Sequence, residues 1–174
     1  MKKIITPLEQ KIINELVAGE FVEISGLIYG ARDAAHKILF EMLKSKKNLP
    51  FDLRNQTIYY VGPTPAPPGK IIGSCGPTTS SRMDRYTPAL LRAGLKGMIG
   101  KGIRSDDVRK AIVKYGAVYF ITYGGCGAYL SQFVKKSEAI AFCELGPEAI
   151  YRMVVENFPA IVGIDSKGRD IYSF

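Results

Sequence analysis

Short apolar runs alternate along this chain with segments whose apolar residues recur every three or four positions, and glycine or proline separates most of them. Leu8, Ile12, Ile13 and Leu16 have helical spacing, with Gly19 as a stop. Residues 21–29 read as a strand with a bulge at Gly26. In 31–44, Ala34, Ala35, Ile38, Leu39, Met42 and Leu43 line one helical face, and Pro50 ends that unit. Further strands are predicted at 57–61, 71–73, 97–102, 117–123, 139–143, 153–155, 160–164 and 170–174. Helical patterns cover 86–93, 105–115 and 128–134, and 146–150 opens a short helical turn. Residues 62–69 carry four prolines and cannot be regular. The alternation predicts an α/β fold, read as one domain over residues 1–174.

Net charge changes the picture more than composition does. The chain carries +8, with a sequence pI near 9.4, which suits acidic small molecules, nucleic acid or a membrane surface. The basic residues are spread out, with one tight block at Lys44, Lys46 and Lys47, and no nucleic-acid-binding signature accompanies them. No run is long and apolar enough for a membrane helix. The start, Met1-Lys2-Lys3-Ile4-Ile5, begins like a leader peptide, but Pro7, Glu9, Gln10 and Lys11 interrupt it, so a cytoplasmic protein is expected. Cys75, Cys126 and Cys143 are odd in number and far apart, which speaks against a disulfide framework and a complete metal site in this chain.

The candidate chemistry sits where glycines flank cations. Gly76-Pro77-Thr78-Thr79-Ser80-Ser81-Arg82-Met83-Asp84 packs four hydroxyls, an Arg and an Asp into a junction between a strand and a helix. Such a loop offers backbone N–H groups, and Arg82 adds a planar fork suited to a carboxylate or phosphate. A plain capped helix start with a surface Arg fits the same residues. Gly30-Ala31-Arg32-Asp33 and Gly100-Lys101-Gly102 repeat the glycine-flanked cation, although a Gly-Lys-Gly alone is usually a turn with a solvated Lys. Lys101 lacks the frame of a P-loop. His36, the single histidine, falls one turn after Arg32 and could face the same way, yet a lone His is more often packed. Thr78 on its own chemistry is a poor base, and its hydroxyl would satisfy a turn.

These three segments occur in the order seen in a known family. The chain resembles the β subunit of two-subunit class I fumarate hydratases and L(+)-tartrate dehydratases, and the C-terminal domain of their single-chain forms. Residues 144–150, Asn157-Phe158-Pro159-Ala160 and Asp165-Ser166-Lys167-Gly168 extend the resemblance over nearly the whole chain. It implies a swivelling β/β/α domain with a mixed sheet and flanking helices. It also implies an α subunit that holds a [4Fe-4S] cluster through three cysteines, in a heterotetramer or larger assembly without nucleic-acid or membrane partners. The reaction implied is reversible hydration of a C4 dicarboxylate: fumarate to malate, or tartrate to oxaloacetate. By motif position, Arg32, Arg82 and Lys101 would bind substrate carboxylates and Thr78 would be the base for the carbon-bound proton. The three cations would then share one edge, underpaired in the chain alone. Ser80-Ser81 departs from the Ala-Gly that many single-chain members carry, which leaves the substrate open. The alternative is a non-catalytic anion- or nucleic-acid-binding module.

Overall fold

The computed structural model describes residues 1–173, and Phe174 lies outside the described residues. Its seven strands are β1 (Lys2–Thr6), β2 (Phe21–Gly30), β3 (Thr57–Tyr59), β4 (Gly97–Gly100), β5 (Val118–Ile121), β6 (Val134–Ala141) and β7 (Ile150–Ile164). Five helices, α1 (Gln10–Glu15), α2 (Asp33–Lys44), α3 (Thr87–Arg92), α4 (Asp106–Tyr115) and α5 (Gly127–Leu130), join three 3₁₀ turns. The α/β class read from the sequence is therefore the class found, with a mixed sheet and flanking helices.

The sheet order is β1-β2-β3-β4-β5-β7-β6, and β7 pairs with β2 as well. Strands β1 to β5 are mutually parallel, whereas β7 runs antiparallel to β2, β5 and β6. The pairings β2-β3-β4-β5-β7-β2 thus form a closed circuit, which leaves those five strands few free edges.

Period-two alternation builds the core on both faces of this circuit. Ile24, Ile28, Tyr59, Ile99, Phe120, Met153 and Phe158 bury on one face, with Ile4 of β1 and Ile13 of α1. Tyr29, Ile58, Met98 and Tyr119 bury on the other, under Leu39 of α2, Leu90 of α3 and Ile112 of α4. The local signals for α4 are complete: Ser105 Oγ accepts from Val108 N, Asp106 and Asp107 occupy the first turn, and Gly116 ends it at φ 60°.

The bulge expected at Gly26 is present as a register shift between Ile24 and Gly26. Gly26 has φ 116°, and a Cβ there would lie 2.4 Å from the Thr6 carbonyl, so β1 can dock only against glycine. Residues 2–6, for which the sequence pattern predicted no element, form a strand. Other expectations change. Residues 71–73 are irregular, because the proline-rich stretch before them keeps the chain off the sheet. The separate strands read at 153–155 and 160–164 are one strand, β7. Of the terminal strand only a single bridge, Ile164 to Asp170, forms among the described residues. Among the described residues no helix is long and apolar enough to cross a membrane.

Candidate functional site

The candidate residues gather at the carboxyl ends of the parallel strands, the edge where open α/β sheets bind ligands. Arg32 follows β2 and Lys101 follows β4. The hydroxyl-rich segment threads between the strand ends instead of capping a helix directly. Thr78 N donates to Tyr60 O at 2.7 Å, just beyond β3. Thr79 then bridges to Lys101 in parallel, and Ser80 N donates to Lys101 O at 2.9 Å. Residues Ser80–Met83 form a 3₁₀ turn that lifts Arg82 to the surface before α3 begins. One short extended segment thus places Thr78 beside the end of β3, Thr79 and Ser80 beside Lys101, and Arg82 one turn further on.

Two buried devices fix this segment. Ser80 Oγ accepts from Lys101 N at 3.0 Å and lies 2.9 Å from Tyr119 Oη. Tyr119 Oη is also 2.8 Å from Gly102 O. A carbonyl can only accept, so the tyrosine proton goes to Gly102 and the serine proton to Tyr119. Gly100 leaves the space: a Cβ there would sit 1.9 Å from Ser80 Oγ.

Arg104 is the second device, and nothing in the linear pattern marked it. Its side chain is fully buried. Nε donates to Asp84 Oδ1 at 2.7 Å, and Nη2 donates to Thr87 Oγ1 at 2.9 Å and Tyr60 Oη at 3.2 Å. Its guanidinium lies over the rings of Tyr119 and Tyr60. Burial works against the charge, but Tyr60, Asp84 and Tyr119 outweigh it and hold the group above its ordinary range. Asp84 belongs to the quoted motif, so half of this pair was visible in the sequence.

The arginines are not underpaired, contrary to expectation. Arg82 grips Asp33 with both bonds of its fork, Nε to Oδ1 at 2.8 Å and Nη2 to Oδ2 at 2.7 Å. Arg32 Nε donates to Asp33 Oδ2 at 3.3 Å and forms an ion pair with Glu148 at 3.2 Å. Partial burial would raise the Asp33 carboxyl. Its own backbone N–H and the two arginines outweigh that and hold it below the usual value. Arg32 also needs the space over Gly62, where a Cβ would lie 2.8 Å from its Cδ. Lys101 is different: among the described residues it forms no salt bridge, and its stem passes over Gly124.

His36 does not join the cations. It is completely buried, and its Nδ1–H donates to the Arg32 carbonyl at 2.8 Å, because that carbonyl can only accept. Nε2 has no partner among the described residues, and the ring stands edge-on to Tyr60. Burial pushes its pKa down to about 4. Thr78 is half-buried, and its hydroxyl takes no partner among the described residues. Cys75 is buried against Gly127, with its thiol pushed up to about 12 by burial. Cys126 and Cys143 are exposed. Among the described residues no group of three His, Cys, Asp or Glu could hold a metal, so these residues do not fit an iron–sulfur cluster.

Residues 3–174 match the family model described as "Fumarase C-terminus". The "Putative L(+)-tartrate dehydratase subunit beta" of Methanocaldococcus jannaschii is 40% identical over 171 residues, covering 95% of this chain and 88% of that protein. "Fumarate hydratase class I, anaerobic" of Escherichia coli K12 is 39% identical over 174 residues, 99% of this chain and 31% of that one. "Fumarate hydratase 1, mitochondrial" of Leishmania major is 42% identical over 153 residues, 87% of this chain and 28% of its own length. The chain therefore spans less than a third of these fumarate hydratases and most of the Methanocaldococcus subunit.

Proposed function

Because the chain belongs to the fumarase C-terminus family, we propose that it is the β subunit of a cytoplasmic hydro-lyase that reversibly hydrates a C4 dicarboxylate. The substrate pair is fumarate and malate, or tartrate and oxaloacetate. The observation that carries the reading is the threading of residues 78–82 across the ends of β3 and β4. It brings a hydroxyl, a Lys and an Arg to the carboxyl-end edge of the sheet.

Charge supports a shared site. Arg32 and Arg82 supply two positive charges, and Asp33 and Glu148 supply two negative ones, which leaves Lys101 as the uncompensated cation of the cluster. A dicarboxylate carries two negative charges, so a second protein surface must help to neutralise it. The iron–sulfur cluster of the family's chemistry would belong to that partner α subunit, since the described residues do not fit one.

In this reading Lys101 and the arginines bind and orient the two carboxylates. The charge-assisted contacts fix the carbon that loses or gains a proton against Thr78. A threonine hydroxyl holds its proton too tightly to act alone at neutral pH. Among the described residues no carboxylate or imidazole hydrogen-bonds it, and His36 is turned into the core. The group that takes the proton onward is assigned to the partner.

The test is anaerobic co-expression with a cysteine-bearing α subunit. The complex should be brown and should consume fumarate or tartrate, while the isolated chain stays colourless and inactive after treatment with iron and sulfide. Turnover by the isolated chain, or salt-sensitive nucleic-acid binding without any hydratase in the complex, would overturn the reading.

A further inference from the structure

Asp33 has the wrong charge for a dianion site, yet it is the best-connected carboxylate there. We propose that Asp33 is a positioning residue of this same site: it fixes which edge of the Arg82 guanidinium meets the substrate carboxylate and holds Arg32 beside it. The proposal rests on the dicarboxylate reading above.

A guanidinium has two edges able to grip a carboxylate with two parallel bonds. The Nε/Nη2 edge of Arg82 is filled by Asp33, at 2.8 and 2.7 Å. The Nη1/Nη2 edge is what remains for a ligand. Arg82 is 49% exposed on a four-residue 3₁₀ turn, and among the described residues its side chain has no other salt bridge to hold it. Asp33, by contrast, is anchored as the first residue of α2, in a twelve-residue helix. The same carboxylate takes Arg32 Nε at 3.3 Å, so one rigid acid sets two flexible cations. The arrangement spans two segments, with Asp33 and Arg82 separated by 49 in sequence.

The electrostatic and positioning roles have opposite signs, which makes them separable. If Asp33 only opposed the substrate charge, its removal would tighten binding. If it aims Arg82, removal weakens binding although a negative charge has gone. Asp33→Asn places an amide donor against the arginine donors and opens half of the fork, whereas Asp33→Glu keeps the charge and both acceptors.

Steady-state kinetics on the complex with its cluster-bearing partner supplies the first readout. Asp33→Asn should raise KM for the dicarboxylate about tenfold or more and change kcat by less than about threefold, the loss expected for a charge-assisted contact. Asp33→Glu should recover most of the KM. An unchanged or lower KM in Asp33→Asn overturns the proposal. The second readout is the Arg82 Nε–H resonance of the full chain, which should exchange slowly with solvent in the parent and fast in Asp33→Asn. Equal exchange in both also overturns it. Complex that turns over neither fumarate nor tartrate refutes the dicarboxylate reading instead, and the Arg82 resonance still decides whether Asp33 holds the fork.

Discussion

Ser80 Oγ and Tyr119 Oη lie 2.9 Å apart in the core beneath Lys101, and the serine also accepts from the Lys101 amide. The pair ties the Thr78–Arg82 segment to the middle of the sheet. Ser80→Ala would leave the Lys101 N–H and the Tyr119 hydroxyl short of a partner. Its expected cost in urea unfolding is about 1–3 kcal/mol. Tyr119→Phe should cost less, and the double variant should fall short of the sum by about 1 kcal/mol. Strict additivity would show that the two hydroxyls act independently.

Thr78→Ala tests the proposed base directly. In the assembled complex kcat should fall by roughly 10²–10⁴-fold, the range of a general-base contribution, with KM within about threefold. A loss in kcat below about threefold returns Thr78 to a backbone role, since its amide bond to Tyr60 survives the substitution.

Gly62→Ala moves Arg32 without removing it. The new methyl would meet Arg32 Cδ at 2.8 Å and Nη1 at 2.9 Å, and Gly62 is not among the positive-φ glycines. KM should therefore rise severalfold while the melting temperature stays within a few degrees of the parent. A drop in stability with KM intact would mean that the loop, rather than Arg32, absorbs the methyl.

His36 gives the fold a pH dependence. Burial, and less so the Arg104 charge, bring its pKa from 6.5 down to about 4 against the pull of the Arg32 carbonyl. Below the unfolded value the denatured chain takes up a proton that the native chain refuses. Stability is therefore complete above pH 6.5 and drains away as pH falls toward 4, by about 3 kcal/mol. Urea unfolding between pH 7.5 and 4 should show that slope, and His36→Gln should flatten it. An imidazole titration midpoint near 6.5 in the folded protein contradicts this account.

Much of the fold was legible because its signals are local. The helix at α4 announces both of its ends, and the Gly26 bulge follows from a glycine inside a strand pattern. Strand β1 was masked because Lys3 and Ile5 are exposed on one face and Lys2 is only half-buried on the other, leaving Ile4 and Thr6 as its buried residues. Strand β7 looked broken because Asn157 sits at φ 52° and Pro159 lies within it, yet pairing with β2 carries the strand across both. The candidate site shows the same division. Glycine beside Arg32 and Lys101 is a local pattern. The Asp33–Arg82 fork, the Glu148 contact and the buried Arg104 join residues far apart in sequence, and no spacing rule anticipates them.

Strand β7 comes late in the chain but pairs with an early strand, Phe21 with Ile161 and Gly30 with Tyr151. As the polypeptide leaves the ribosome, β2 therefore waits with one edge bare until the 119 residues between it and β7 have been made. Pairings this distant in sequence place the domain among slow, topology-limited folders. Until β7 arrives, the strand ends bearing Arg32 and Lys101 belong to an unclosed sheet, open to the wrong strand from a neighbouring nascent chain.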